Sequence, residues 1–249
     1  MKKLLGRLLG KGVSAVRPTC TAILAAAGSS QRMGGENKLL LPLDGVPVLA
    51  RTLRAVDAAQ SVDEIVIAAR EEDLLTYADL CKTYGIRKPV KVVVGGATRE
   101  ESVLRAALEA RADAKLLAVQ DGARPLVTPK LFDAVVLRAS MCAAAAPAVP
   151  VHDTIKIARD RRVIETPDRS ALFAVQTPQV FDAGLLKAAL QSALTARAAL
   201  TDDCSAVERL GKAVYLTDGD EENIKITTPL DLIVAEMILR RREEREATE

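Results

Sequence analysis

One histidine, no tryptophan and an aromatic content of 2% withhold from this chain the equipment of several function classes. Without aromatic side chains there are no stacking platforms for single-stranded nucleic acid. A net charge of +2 provides no global field for a polyanion or a membrane surface. With His152 the sole imidazole and no GxSxG elbow, hydrolase triads lose their usual base; His152 beside Asp153 reads as a surface or interface residue. The four cysteines, Cys20, Cys81, Cys142 and Cys204, lie far apart with no CxxC and no histidine partner. They suit isolated thiols in a reducing cytoplasm, not zinc or disulfides. No apolar run approaches the roughly 20 residues of a membrane span, so no integral membrane association is expected.

Residues 1–18 hold no acid, and MKKLLGRLLGKGVSAVR carries five basic residues. Gly and Arg interrupt the apolar core a signal peptide needs. GRLLGK is one residue short of a Walker A loop and lacks the following Ser/Thr. A frayed basic extension is the expectation. The remaining chain, 19–245, is expected to form one α/β domain, with a composition (49% hydrophobic, 27% charged) able to bury a core.

From Thr21 onward, short apolar runs alternate with helical patterns. Runs at 22–26, 64–69, 90–94, 115–119 and 143–149 read as strands. Helical periodicity follows Pro47, through Val48, Leu49, Thr52, Leu53 and Val56, and follows Arg99, through Val103, Leu104, Ala107 and Leu108. Continuously apolar strands separated by helices imply a mostly parallel twisted sheet with helices on both faces. The pattern then changes: IKIAR (155–159) and RVIET (162–166) alternate apolar with polar around a charged turn. This predicts a half-exposed hairpin, an arm spanning about 150–172 and suited to dimerisation. Helices near 182–196 and 203–211, a strand at 213–216 and a last helix from Pro229 to about Arg241 complete the reading.

Cations and carboxylates gather where strands end, the equipment of phosphoryl and nucleotidyl transfer. In AAAGSSQRMGGENK, the first strand runs into Ala26, Ala27 and Gly28, with Gly34 and Gly35 beyond and Arg32 and Lys38 as loop cations. Glycines let backbone N–H groups face phosphate oxygens, and the lack of GxGxxG counts against a dinucleotide. In GGATREESV, Gly95, Gly96 and Ser102 suit either a base or ribose edge or a plain turn and helix start. In VQDGARP, Asp121 ends a buried strand and needs a cation or a metal beside it. Arg124 as its partner and a magnesium–phosphate site are both open there. DTIK, DRSALFAVQTPQVF, TDDCSAVE and ENIKITTP bring Thr154, Arg169, Lys225 and several carboxylates within reach of one face.

Seven of these segments in register (AAAGSSQRMGGENK, GGATREESV, DGARP, DTIK, QTPQVF, TDDCSAVE and NIKITTPLDL) resemble the 2-C-methyl-D-erythritol 4-phosphate cytidylyltransferase family, from about Thr21 to the C-terminal helix. The resemblance implies a Rossmann-like nucleotidyltransferase fold and a homodimer held by the β-arm. It implies CTP and methylerythritol phosphate as substrates and magnesium as cofactor. It places Arg32 and Lys38 at the α-phosphate of CTP, and Arg169, Lys225 and Thr154 at the methylerythritol phosphate, with arm residues entering from the neighbouring subunit. Nucleotide contacts fall on Ala26, Ala27, Gly28, Gly96, Ser102, Asp121, Gly122 and Arg124. Asp121, and more weakly Glu222, match metal positions. The alternatives are another polyol phosphate acceptor, such as ribitol 5-phosphate, or a non-catalytic nucleotide-binding subunit. The sequence departs from the family in three places: Asn37 stands where proline usually precedes the loop lysine, Ala97 where an acid often reads the base, and DGARP replaces DAARP.

Overall fold

A computed structural model describes residues 17–28 and 37–247. Arg32, Gly34, Gly35 and nearly all of the basic extension lie outside the described residues. Arg17 does not: its guanidinium grips both Asp63 carboxylate oxygens, at 2.7 and 2.9 Å.

In chain order the elements are β1 (Cys20–Ala25), β2 (Pro42–Leu43), β3 (Val46–Pro47), α1 (Val48–Ala58), β4 (Glu64–Ala69), α2 (Leu74–Thr83), β5 (Val90–Val94), α3 (Arg99–Glu109), β6 (Leu116–Asp121) and α4 (Pro129–Cys142). They continue with β7 (Ala144–Pro150), β8 (Ile157–Arg159), β9 (Arg162–Glu165), β10 (Phe173–Val175), β11 (Gln179–Asp182), α5 (Ala183–Thr195), α6 (Asp203–Arg209), β12 (Tyr215–Asp218) and α7 (Pro229–Glu246). The main sheet runs β10-β7-β11-β6-β1-β4-β5, with β12 also paired to β7. Its β6-β1-β4-β5 half is parallel. β11 enters antiparallel between β6 and β7, which makes the sheet mixed.

The apolar runs face both ways. Ala22 and Leu24 of β1 pack with α1, α2, α4 and α7, while Ile23 packs with α3, α5 and α6. The same alternation holds for Ile65 and Ile67 against Val66 and Ala68 in β4. A strand covered on both faces has no solvent side, so its sequence shows no period of two. Helix starts follow local chemistry. Thr98 and Thr128 accept N–H bonds as N-caps, and Pro129 and Pro229 occupy first-turn positions where no N–H is needed. Pro47 is the N-cap of α1 rather than a residue inside its first turn.

The expected hairpin is present. β8 and β9 form their own two-stranded sheet, and Asp160 and Arg161 both adopt positive φ, 49° and 63°, the geometry of a tight hairpin turn. Ile155, Ile157, Val163 and Ile164 are exposed on it. Among the described residues no helix is long and apolar enough to cross a membrane.

Candidate active site

The parallel half of the sheet ends its strands on one edge, where open α/β sheets bind ligands. β1 runs out at Ala25, and Ala26 N–H bonds to Ala68 O at 2.9 Å, keeping Ala26–Gly28 against β4. β5 ends one residue before Gly95, whose N–H reaches Ala69 O at 2.8 Å. β6 ends in Asp121 itself. Between these ends lies an open pocket of about 340 Å³, walled by Ala25–Gly28, Lys38, Leu39, Gly96–Arg99, Ser102, Asp121, Ala123 and Lys225. Of the expected residues, the pocket brings together Ala26, Ala27, Gly28, Lys38, Gly96, Ser102, Asp121 and Lys225. Gly122 and Arg124 stand behind the wall. Arg169 and Thr154 belong to the exposed base of the arm, outside this wall.

The two glycine loops touch. A Cβ on Gly95 would come within 2.7 Å of Ala27 Cβ and 2.8 Å of Ser102 Oγ. Ser102 is buried, and its hydroxyl is spent on the loop: it donates to Thr98 O at 2.7 Å and accepts from Gly96 N at 2.9 Å. Ser102 therefore shapes the loop that borders the pocket. Ala97 N–H goes to Glu101 Oε2 at 2.8 Å, and the other Glu101 oxygen pairs with Arg105, so this acid braces the loop. Gly95→Ala is expected to push the loops apart, raising the KM for the ligand of this pocket and costing about 1–3 kcal/mol of stability, measured by steady-state kinetics beside a melting curve.

Lys38 is held from two sides. Asn37 donates through Nδ2 to Asp73 Oδ1 (3.1 Å) and Tyr77 OH (3.0 Å), and its Oδ1 accepts from Leu39 N (3.2 Å). Both donors of that amide are used, and its oxygen accepts once. Where a proline would fix the backbone by its ring, a hydrogen-bonded clasp to α2 holds it here. At its other end, Lys38 Nζ donates to Ile226 O at 2.8 Å. Ile226 N–H in turn bonds Ala123 O, pinning the 219–228 segment to the end of β6.

That segment carries Lys225, whose Nζ meets Asp121 Oδ2 at 2.8 Å. Arg99 Nη2 lies 3.5 Å from Asp121 Oδ1, and Arg124 Nε 3.7 Å from Oδ2. Burial pushes the Asp121 carboxyl up, but Lys225, Arg99 and Arg124 outweigh it and hold the group below its ordinary value. Burial lowers Arg124, and its Nη1 donates to Asn223 O at 2.6 Å. Arg124 is thus one of three cations that partner Asp121, and the Asp121 carboxylate borders the pocket. The sequence does not single out Arg99, and it marks Asn37 only as a departure from the family. A cation in the first turn of a helix that follows a strand-end glycine loop was the available signal for Arg99. Nothing in the residues near Asn37 announces Asp73 and Tyr77.

Glu222 is a correction. Its carboxylate is taken by Arg241, by Arg242 Nε at 2.6 Å and by Arg245 Nη2 at 3.1 Å, all from α7. An anion saturated by three guanidiniums has no free electron pairs for a metal; it anchors the Lys225 segment to the last helix. Among the described residues no three His, Cys, Asp or Glu side chains cluster as a metal cage. Asp121 is the one carboxylate on the described wall, and it too is engaged by cations, Lys225, Arg99 and Arg124.

At the base of the arm, Arg169 Nη1 donates to His152 O at 2.7 Å, and the His152 ring lies 3.2 Å from Glu221. His152 thus joins the arm to the segment that carries Lys225.

An open α/β sheet with a lysine-rich pocket at its carboxyl edge, phosphate-compatible loops and no triad is the frame of a nucleotidyltransferase. The model of the 2-C-methyl-D-erythritol 4-phosphate cytidylyltransferase family matches residues 20–241, and the chain belongs to that family. The cytidylyltransferase of that name from Bacillus cytotoxicus is 44% identical over 220 residues, covering 88% of this chain and 97% of its own. That of Synechococcus elongatus is 43% identical over 223 residues, 89% and 96% of the two chains. Among solved structures, the 4-diphosphocytidyl-2C-methyl-D-erythritol synthase of Anaerococcus prevotii superposes with a TM-score of 0.81 at 30% identity, covering 90% of this chain and 96% of that one.

Proposed function

We infer that the chain transfers the cytidylyl group of CTP to 2-C-methyl-D-erythritol 4-phosphate, releasing pyrophosphate. The observation that carries this reading is the convergence of Lys38 and Lys225 on one pocket, the first through Ile226 O and the second through Asp121. An oxygen of the acceptor phosphate forms a bond to the α-phosphorus of CTP, and the bond from that phosphorus to the bridging oxygen of the β-phosphate breaks. Both reactants are anions, so gathering them is the main obstacle. Fixed cations remove it by positioning and charge neutralisation. The attacking phosphate is already ionised near neutral pH, and no general base is required.

Lys38, with Arg32, is assigned to the α-phosphate, where negative charge grows as the new bond forms. Ala26–Gly28 and the Gly96 loop border the nucleotide. Lys225, Arg169 and Thr154 are assigned to the acceptor phosphate. Arg169 and Thr154 lie outside their own protomer's pocket wall, which fits an arm that serves a second subunit in a homodimer. The exposed apolar residues of the arm support that assembly. Magnesium would be held by the triphosphate with Asp121, and it supplies charge neutralisation to the phosphates. A cytoplasmic setting accords with four free thiols, three of them buried.

Lys225→Ala and Arg169→Ala are each expected to raise the KM for the acceptor about tenfold or more, roughly 1.4 kcal/mol of lost binding, with the KM for CTP near its original value. Initial rates at varied acceptor test this; an unchanged acceptor KM removes the residue from that site.

A further inference from the structure

Behind the pocket wall lies a carboxylate that the reaction does not use. Asp203 opens α6 and is fully buried. Its position is fixed by Gln179, whose Oε1 accepts from the N–H groups of Asp203 and Cys204 at 3.0 and 3.1 Å. Oδ2 of Asp203 accepts from Arg99 Nη2 at 2.7 Å, while Oδ1 has no partner among the described residues. A buried acceptor without a partner is costly, so a carboxylate here calls for a reason beyond packing.

The reason lies in how three cations share Asp121. Lys225 and Arg124 address Oδ2 and Arg99 addresses Oδ1, yet Arg99 stands 3.5 Å off while Lys225 is at 2.8 Å. The same nitrogen of Arg99 makes its shorter contact to Asp203. Asp203 draws the guanidinium back and leaves Asp121 to Lys225. Lys225 is the most exposed of the three, with a side chain 40% exposed against 33% for Arg99 and 11% for Arg124, and it has no second carboxylate as Arg99 has in Asp203. We propose that Asp203 is a positioning residue: acting through Arg99 and Asp121, it keeps Lys225 oriented toward the acceptor. This relay rests on the assignment of Lys225 to the acceptor phosphate.

Asp203→Asn keeps the shape and removes the charge. Arg99 then closes on Oδ1 of Asp121, neutralises more of the carboxylate's charge and loosens Lys225 on Oδ2. The expected result is an acceptor KM raised about three- to tenfold, roughly half to one unit of log affinity, with kcat and the KM for CTP within about twofold. Because the effect passes through Lys225, adding Asp203→Asn to Lys225→Ala is expected to change the acceptor KM no further, the non-additivity of residues acting as one unit. Asp203→Asn is also measured in an Arg99→Gln background, with a melting curve for each variant to show that it is folded. There Asp203→Asn has nothing to act through, and the acceptor KM should stay at the Arg99→Gln value. An unchanged acceptor KM in Asp203→Asn, multiplying effects with Lys225→Ala, or a further change in the Arg99→Gln background would overturn the relay. If the unsubstituted chain turned over no polyol phosphate, the functional reading itself would fall and the relay with it.

Discussion

Lys38→Ala is expected to lower kcat by about 10²–10³-fold, the loss typical of removing one preorganised group that meets charge developing in the transition state. The expectation rests on how firmly the lysine is prepared before any ligand arrives. Its backbone is braced by the Asn37 clasp, and Leu39 O and Leu41 O accept from Leu49 N and Val48 N at the start of α1. Its ammonium is aimed by Ile226 O. A cation on a floppy loop would mainly add affinity; one held in place stabilises charge without reorganising. The side chain is half-buried and makes no large apolar contribution, so the melting temperature should move little. Single-turnover rates at saturating CTP and acceptor check the expectation. A chemical step within threefold of the unsubstituted rate would remove Lys38 from the reacting phosphate.

Asp121→Ala is expected to cost about 3–5 kcal/mol of stability, as when one partner of a buried ion pair is deleted. Here the loss leaves Arg124 and Lys225 facing an empty position, while Arg99 keeps its shorter bond to Asp203. The same carboxyl makes stability depend on pH. Its folded-state pKa lies below the unfolded value of about 3.9, so its stabilisation is fully present above that value and lost as pH falls through the folded one. The gap between the parent and the variant should therefore be widest near neutrality and narrow in acid. Denaturant titrations at neutral and acid pH measure both effects. A neutral-pH difference below 1 kcal/mol would mean that the three cations do not depend on Asp121.

Much of this was legible in the residues, for physical reasons. Strands buried on both faces leave continuous apolar runs, and β1, β4, β5, β6 and β7 fall within a residue or two of the runs read from sequence. The Asp160–Arg161 turn between alternating segments marked the arm. Less visible was the antiparallel entry of β11, because Gln179–Asp182 has only two apolar residues between polar ends and strand direction is set by tertiary pairing. The pocket cations Lys38 and Lys225 were found by their place after glycine-bearing or polar strand ends. The network behind them was not. Asp203 looks like a helix start, and Glu222 like a loop acid; only the fold reveals Arg99 against one and three arginines of α7 against the other. Asn37 reads as a departure from the family when taken alone. With Asp73 and Tyr77 beside it, it is another means to the same rigidity.

The most direct measurement is pyrophosphate release by the purified chain, with each of the four ribonucleoside triphosphates against methylerythritol phosphate and ribitol 5-phosphate. The account predicts rapid release with CTP and methylerythritol phosphate together, little with either alone, and much lower kcat/KM for every other pairing. Equal or faster turnover with ribitol 5-phosphate, or no release with any pair, would contradict it.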